Sequence, residues 1–350
     1  MNKQQPMGAE GQVTPVIWAG IDVAKKSFEA AIHLPELARP IATRGFDMSD
    51  VGTGQFLQWC DKIITSHAPG AQLRVVMEAT GCYSRQLFEW LTNLRPQTQP
   101  AMLNPSFIKS FGQSLGVRNK TDKVDARIIA HYGHERKPAP DMRPTPEMNR
   151  LQLLVRERRT ICDALTAEKN RAGEPCEDKD VLKLRNQRIA LLTKQLKDIL
   201  ALLRKTVKQS QTLSRDIKLL QSIPGVGFIV AVTVLGELGD LRRFLCPRKL
   251  SAFAGLSPRY FTSGSSVNRP AHICRMGNKA VRPLLHLAAR SLVGRTKYHL
   301  GRLYEKLVAA GKTKPAAVTA ISRKILVLMR AILISGKPYN DELCACGKAA

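Results

Sequence analysis

"VIWAGIDVAKKSFEAAIHL", residues 16–34, is the stretch whose reading decides the fold. Its first nine residues are apolar and β-branched, the pattern of a strand buried on both faces, and they end near Asp22. After two lysines, "SFEAAIHL" (27–34) alternates and pairs back on the first strand as a hairpin. Working outward, 50–66 predicts a helix, and "LRVVME" (73–78) predicts a second buried strand ending at Glu78. "TGCYSRQLFEWL" continues as turn and helix, and "TQPAMLN" (98–104) is a weaker third core strand. Helical stretches lie on either side of "RNKTDKVDARIIA" (118–130). Strands alternating with helices make an α/β layer with helices packed on a mixed sheet.

"RKPAPDMRPTP" (136–146) holds four prolines and marks a domain boundary. Beyond it, 147–217 is rich in Leu, Lys, Arg, Glu and Gln, with apolar residues at helical spacing. Two long helices forming an antiparallel or intermolecular coiled coil fit this pattern, with a break at "RAGEPCEDKD" (171–180). From 218 to 340 the chain is Gly-punctuated, mostly helical and strongly basic. The expected division is a polar leader 1–15, an α/β domain 16–140, oligomerisation helices 147–217, a helical domain 218–340 and a tail 341–350.

The charge balance narrows the function. Lys and Arg number 55 against 28 acidic residues, a net charge of +27. Residues 241–340 alone hold 20 Lys/Arg and one acid, Glu305, or +19. So one-sided a block favours a polyanion, nucleic acid above all, as partner. No apolar run reaches bilayer length and the N-terminus lacks a signal-peptide core, so the expectation is a cytoplasmic, nucleoid-associated protein without a membrane partner. The eight cysteines form no CxxC pair and read as reduced thiols. The histidines form no zinc-ligand spacing, and His131 and His134 read as surface or helix-packing residues.

Four carboxylates stand out against this basic background. Asp22 and Glu78 each end a buried strand, where α/β sheets gather their chemistry. Asp122 and Asp125, three apart at the start of a helix, share one of its faces. Capping, or complementing the helix dipole, accounts for any one of them equally well. Four together in an acid-poor chain point instead to hard oxygen ligands for one or two Mg²⁺ ions, a known device for phosphodiester chemistry.

Two basic-domain motifs concern phosphate. "IPGVG" (223–227) before an apolar helix reads as a helix-hairpin-helix whose Gly225 and Gly227 expose backbone N–H groups to a phosphate, or as a plain glycine turn. "SPRYFTSGSSVNRPAHICRMGN" (257–278) reads as a long polar loop between helices. It carries Ser263, Ser265 and Ser266 beside Arg259, Arg269 and Arg275, with Lys279 just after, and on the residues alone it is an anion-binding loop rather than a nucleophile.

"GIDVAKKSFEAAI", "VVMEATGCY", "NPSFIKSFGQSLGVRNKTDKVDARIIA", "SIPGVGFIVAVTVLGELGD", "LSAFAGLSPRYFTSGSS" and "MGNKAVRPLLHLAA", taken in order, closely resemble the DEDD transposases of the insertion-sequence family IS one-ten, over about 16–340. The resemblance implies a RuvC-like (RNase H-like) N-terminal domain whose acidic tetrad falls on Asp22, Glu78, Asp122 and Asp125, with Mg²⁺ as cofactor and Mn²⁺ as its substitute. It places the catalytic serine on Ser263 and implies a serine–DNA phosphodiester intermediate. Serine and metal lie in different domains and meet across domains or subunits. The implied partners are donor and target DNA, a bridge (guide) RNA and further copies of the chain, as a dimer or tetramer. Two readings compete: a Holliday-junction-type nuclease that uses the carboxylates and water, and a non-catalytic nucleic-acid-binding protein.

Overall fold

A computed structural model describes residues 14–34, 40, 42–117, 121–263, 267–273 and 277–342, without the side chains of 259–272. The chain divides into two compact units, 1–143 and 144–350.

In the first unit the hairpin forms as its pattern dictates. β1 (Val16–Val23) and β2 (Ser27–His33) run antiparallel, with Asp22 registered opposite Glu29. β3 (Ala42–Asp47) adds an edge strand to β2, and α1 (Asp50–His67) follows, capped by Ser49. β4 (Gln72–Glu78) lies parallel to β1, and α2 (Cys82–Leu94) returns to β5 (Ala101–Leu103), parallel to β4. The sheet order is β3-β2-β1-β4-β5. α3 (Pro105–Ser114) and α4 (Asp122–Arg136) complete the unit. One sheet face carries Ile17, Ala19, Ile21, Val75 and Met77, packed with Phe56 of α1 and Leu87 of α2. The other carries Trp18 and Val76 with Ile128 and Ile129 of α4. A mixed α/β layer is therefore present.

β3 has no counterpart in the expectations. "ATRGFD" buries only Phe46, so its sequence carries no apolar signal, and pairing with β2 is what makes it a strand.

The second unit is mostly helical. α5 (Pro146–Ala172) and α6 (Lys179–Gln209) lie antiparallel, cross-linked by Arg150 Nε donating to Thr206 Oγ1 (3.3 Å) and Arg188 Nε donating to Glu168 Oε2 (3.0 Å). The acidic break is the turn between them, and Asp178 caps α6. α7 (Gln211–Gln221), α8 (Phe228–Leu238) and α9 (Pro247–Phe253) follow. β6 (Pro258–Ser263) and β7 (Val267–Ile273) form a separate antiparallel ribbon. α10 (Val281–Arg290), α11 (His299–Ala309) and α12 (Lys314–Ser335) close the unit around a core that includes Ile325, Leu328 and Met329. No helix among the described residues is long and apolar enough to cross a membrane.

The ribbon corrects one expectation. The sequence predicts one long polar loop over 257–278, but within it Pro258–Ser263 and Val267–Ile273 pair backbone to backbone, which polar residues permit as readily as apolar ones.

Candidate active site

Successive residues of a strand face opposite ways. Trp18 packs on the α4 face, so Asp22, four residues on, belongs to that face too; Glu78 follows from Val76 in the same way. The last β1–β4 pair is Ile21 with Met77, which puts Asp22 and Glu78 side by side one step beyond it. Both are partly buried.

α4 is steered to the same place by glycine. A Cβ on Gly20 would overlap the Ala130 backbone nitrogen, so only Gly lets the helix lie this close to β1. Further along α4, Gly133 abuts Trp18 and Val76, where a Cβ would come within 2.9 Å of the Trp18 ring. The helix thus runs antiparallel to β1. Two strand residues, about 6.6 Å, match roughly four helical ones. Stepping from Gly20 to Asp22 therefore leads back along α4 to its first turn, which holds Asp122 and Asp125.

Neither aspartate is the cap. Thr121 is, its hydroxyl accepting from the Val124 N–H at 3.3 Å, and it leaves Asp122 exposed and Asp125 partly buried. Both still complement the helix dipole. Among the described residues no three Asp, Glu, His or Cys side chains already stand close enough to share a metal ion. The carboxylates gather at one end of one sheet face without forming a closed ligand set. Their chemistry, hard anionic oxygen, fits Mg²⁺.

Sequence reasoning missed Glu29. It lies directly opposite Asp22 and so on the same face. Its carboxyl leans over Gly45 of β3, where a Cβ would stand 2.6 Å from Oε1, and Oε2 is buried without a hydrogen-bond partner. The alternation of β2 does not single Glu29 out, because it cannot show that α4 covers that face.

His33 occupies the opposite end of β2, paired with Trp18 and 1% exposed. Its ring stacks on His134 (centroids 4.2 Å) and on His131 (5.2 Å), so the two helical histidines are packing residues. Burial, then His134 and His131, lowers the His33 pKa to about 4, against a weaker upward pull from the Leu34 backbone and Glu135.

The phosphate motifs lie in the second unit. Ser222–Gly227 joins α7 to α8, and Gly225 has φ +83° with the Ala288 carbonyl 2.7 Å from where a Cβ would be. Gly227 begins α8, which no side chain caps, and is open around its Cα. A cleft of about 600 Å³ lies against this turn, lined also by Tyr298, Tyr339 and Asp341.

Ser263 is the last residue of β6, opposite Val267, at the outer end of the ribbon. Arg269 is opposite Phe261, whereas Arg259 is four residues back, about 13 Å along the strand. Ser265, Ser266 and Arg275 lie outside the described residues. Lys279 is exposed just before α10.

Two family descriptions match the chain in separate stretches. Residues 19–174 match a transposase model of the DEDD IS110 type, and 217–305 match "Transposase IS116/IS110/IS902 family". The pilin gene-inverting protein of Moraxella bovis is 26% identical over 333 residues, covering 93% of this chain and 98% of that one. The transposase for insertion sequence element IS1111A of Coxiella burnetii is 26% identical, with 92% and 90% covered. The transposase for IS1328 of Yersinia enterocolitica is 27% identical, with 82% and 86% covered.

Proposed function

We infer the reaction from one premise: this chain belongs to the IS110 family of transposases. We read it as a DNA transposase that excises and inserts its own insertion sequence by cutting and rejoining strands through a serine–DNA phosphodiester. The observation that carries the reading is the convergence of Asp22, Glu78 and the first turn of α4 on one end of one sheet face. That mixed sheet also supports the RuvC-like identity of the first unit.

Asp22, Glu78, Asp122 and Asp125 would hold Mg²⁺, or Mn²⁺ in its place. When bound, the ion supplies Lewis acidity and lowers the pKa of a coordinated hydroxyl. Ser263 Oγ forms a bond to phosphorus, the bond from phosphorus to a deoxyribose oxygen breaks, and that oxygen leaves with a proton as a hydroxyl. The reverse attack by a hydroxyl of a new strand releases the serine, so the phosphodiester energy is conserved without ATP. Arg259, Arg269 or Arg275 would take up charge on the phosphoryl oxygens. Gly225, Gly227 and Lys279 would hold DNA or RNA backbone. A cut-and-rejoin chemistry without loss also suits inversion, the activity named for the Moraxella relative.

Donor and target DNA would be selected by a bridge RNA transcribed with the element, and the +19 block is the surface for both polyanions. Leu184 and Leu191, half-exposed one heptad apart on α6, favour a homo-oligomer, a dimer or tetramer.

The test is a trapped reaction mapped by peptide mass spectrometry. We expect DNA attached to Ser263, with Ser263→Ala removing both adduct and recombination while DNA binding persists. A free phosphate end and no adduct would instead establish a water-using nuclease. Recombination by RNA-free protein would remove the guide.

A further inference from the structure

β6 and β7 belong to no larger sheet, and among the described residues their extensive packing is with each other. The position of Ser263 is then set at the ribbon's root. From Pro258 to Ser263 is about 16 Å at 3.3 Å per residue. A 10° swing at the root would move the tip by about 3 Å, and about 1 Å of misplacement already costs roughly a hundredfold in rate.

The root is built to prevent that swing. Gly255, at φ +72° just after α9, and Gly277, just before α10, meet backbone to backbone; a Cβ on Gly277 would overlap Gly255 Cα and N. Next to Gly277, Asn278 uses both ends of its amide. Oδ1 accepts from the N–H groups of Ala280 (2.8 Å) and Val281 (3.2 Å) at the start of α10. Nδ2 donates to Glu237 Oε2 on α8 at 2.9 Å. The other Glu237 oxygen faces Arg156 Nε of α5 at 3.6 Å, and the Glu237 side chain is only 7% exposed. A carboxylate buried this deeply is costly unless its partners stay in place. Among the described residues its partners are Asn278, next to Gly277 at the ribbon's root, and Arg156 of the long helix α5.

We propose that Glu237 and Asn278 are positioning residues for Ser263: their hydrogen bond, with the Gly255–Gly277 contact, fixes the angle at which the ribbon leaves the body. This rests on Ser263 as the nucleophile, but the clamp itself is a mechanical claim and is measured separately.

Asn278→Asp keeps the acceptor for the Ala280 and Val281 N–H groups while placing a carboxylate against Glu237 in place of a donor. Adding Glu237→Gln restores the hydrogen bond with its direction reversed. The full-length protein carries distance labels at Asn268 and Lys312, attached through azide-bearing residues so that the native cysteines are untouched. Pulsed electron resonance reads the ribbon's spread, and adduct formation is timed in parallel. We expect Asn278→Asp to broaden the distance distribution and slow adduct formation ten- to a hundredfold at unchanged DNA affinity. The double variant should recover both. An unbroadened distribution in Asn278→Asp, or no recovery in the double variant, overturns the clamp. Broadening and recovery without any Ser263 adduct in the unaltered protein would sustain the clamp and remove the serine reading.

Discussion

The carboxylate edge and the serine ribbon hold their residues by opposite means. Asp22 and Glu78 sit on adjacent strands inside a five-stranded sheet, and α4 is pressed on them closely enough that Gly20 has no room for a methyl group. Ser263 ends a two-stranded ribbon whose root is the close Gly255–Gly277 contact. The proposed metal site would need several oxygens held at near-fixed separations, and a packed core is the part of a fold suited to that. On the proposed reading, Ser263 would first attack one strand and then release it to another, which needs reach, and a ribbon supplies it. The first region should therefore fail by unpacking and the second by swinging.

The largest effect expected is on strand cleavage in the first region. Asp125→Ala should reduce it by about a thousandfold or more while thermal stability changes little, since Thr121 and not Asp125 caps the helix. Wild-type cleavage with normal Mg²⁺ dependence in that variant would dissolve the comparison, leaving only the ribbon as a chemical site. Next comes Gly20→Ala, which forces α4 off β1 and should cost about 3 kcal/mol in denaturant unfolding, at the upper end for an overpacked core. If stability holds, the close approach is not what seats the first turn of α4.

The same packing has an acid limit. His33 titrates near 4 when folded and near 6.5 when unfolded, so the unfolded chain takes the proton first. The stability that depends on neutral His33 is complete above pH 6.5 and drains away as pH falls toward 4. Between pH 7 and 5 the loss should be about 2 kcal/mol. His33→Phe keeps a flat ring against His134 and cannot titrate. Denaturation at both pH values should show this part of the acid loss missing from the variant; an equal loss in both proteins would assign it to other groups.

Much of the first region was legible in the sequence because its strands are apolar runs and its helices have apolar stripes. Asp22 and Glu78 were found at strand ends for that reason. Glu29 was not, since a carboxylate in an alternating strand reads as solvated until a covering helix is known. The ribbon was illegible as structure: neither "PRYFTS" nor "VNRPAHI" alternates cleanly between apolar and polar residues, and only their pairing makes them β. Its clamp was also hidden: Glu237 and Asn278 each lie in a stretch that carries the family resemblance, but they are 41 residues apart and nothing in either stretch shows that the two side chains meet.

The smallest predicted effect separates capping from chemistry. Thr121→Ala removes the hydroxyl that accepts from Val124 N–H at 3.3 Å, a long bond on an exposed residue, so its cost should be about 1 kcal/mol or less. Asp122, next in the chain and exposed, makes no such bond in that role, and Asp122→Ala should cost still less in stability. Their effects on cleavage should run the other way. The threonine variant should cut nearly normally once folded, because the first turn is also held by the Asp125 N–H donating to the Thr121 carbonyl at 2.9 Å, a backbone bond the mutation leaves intact. The aspartate variant should lose most of its cleavage. Thermal midpoints and cleavage rates measured on the pair then form a crossed result that only a ligand role for Asp122 produces. If both variants lose stability and cleavage in proportion, the acidic first turn is a helix terminus and nothing more.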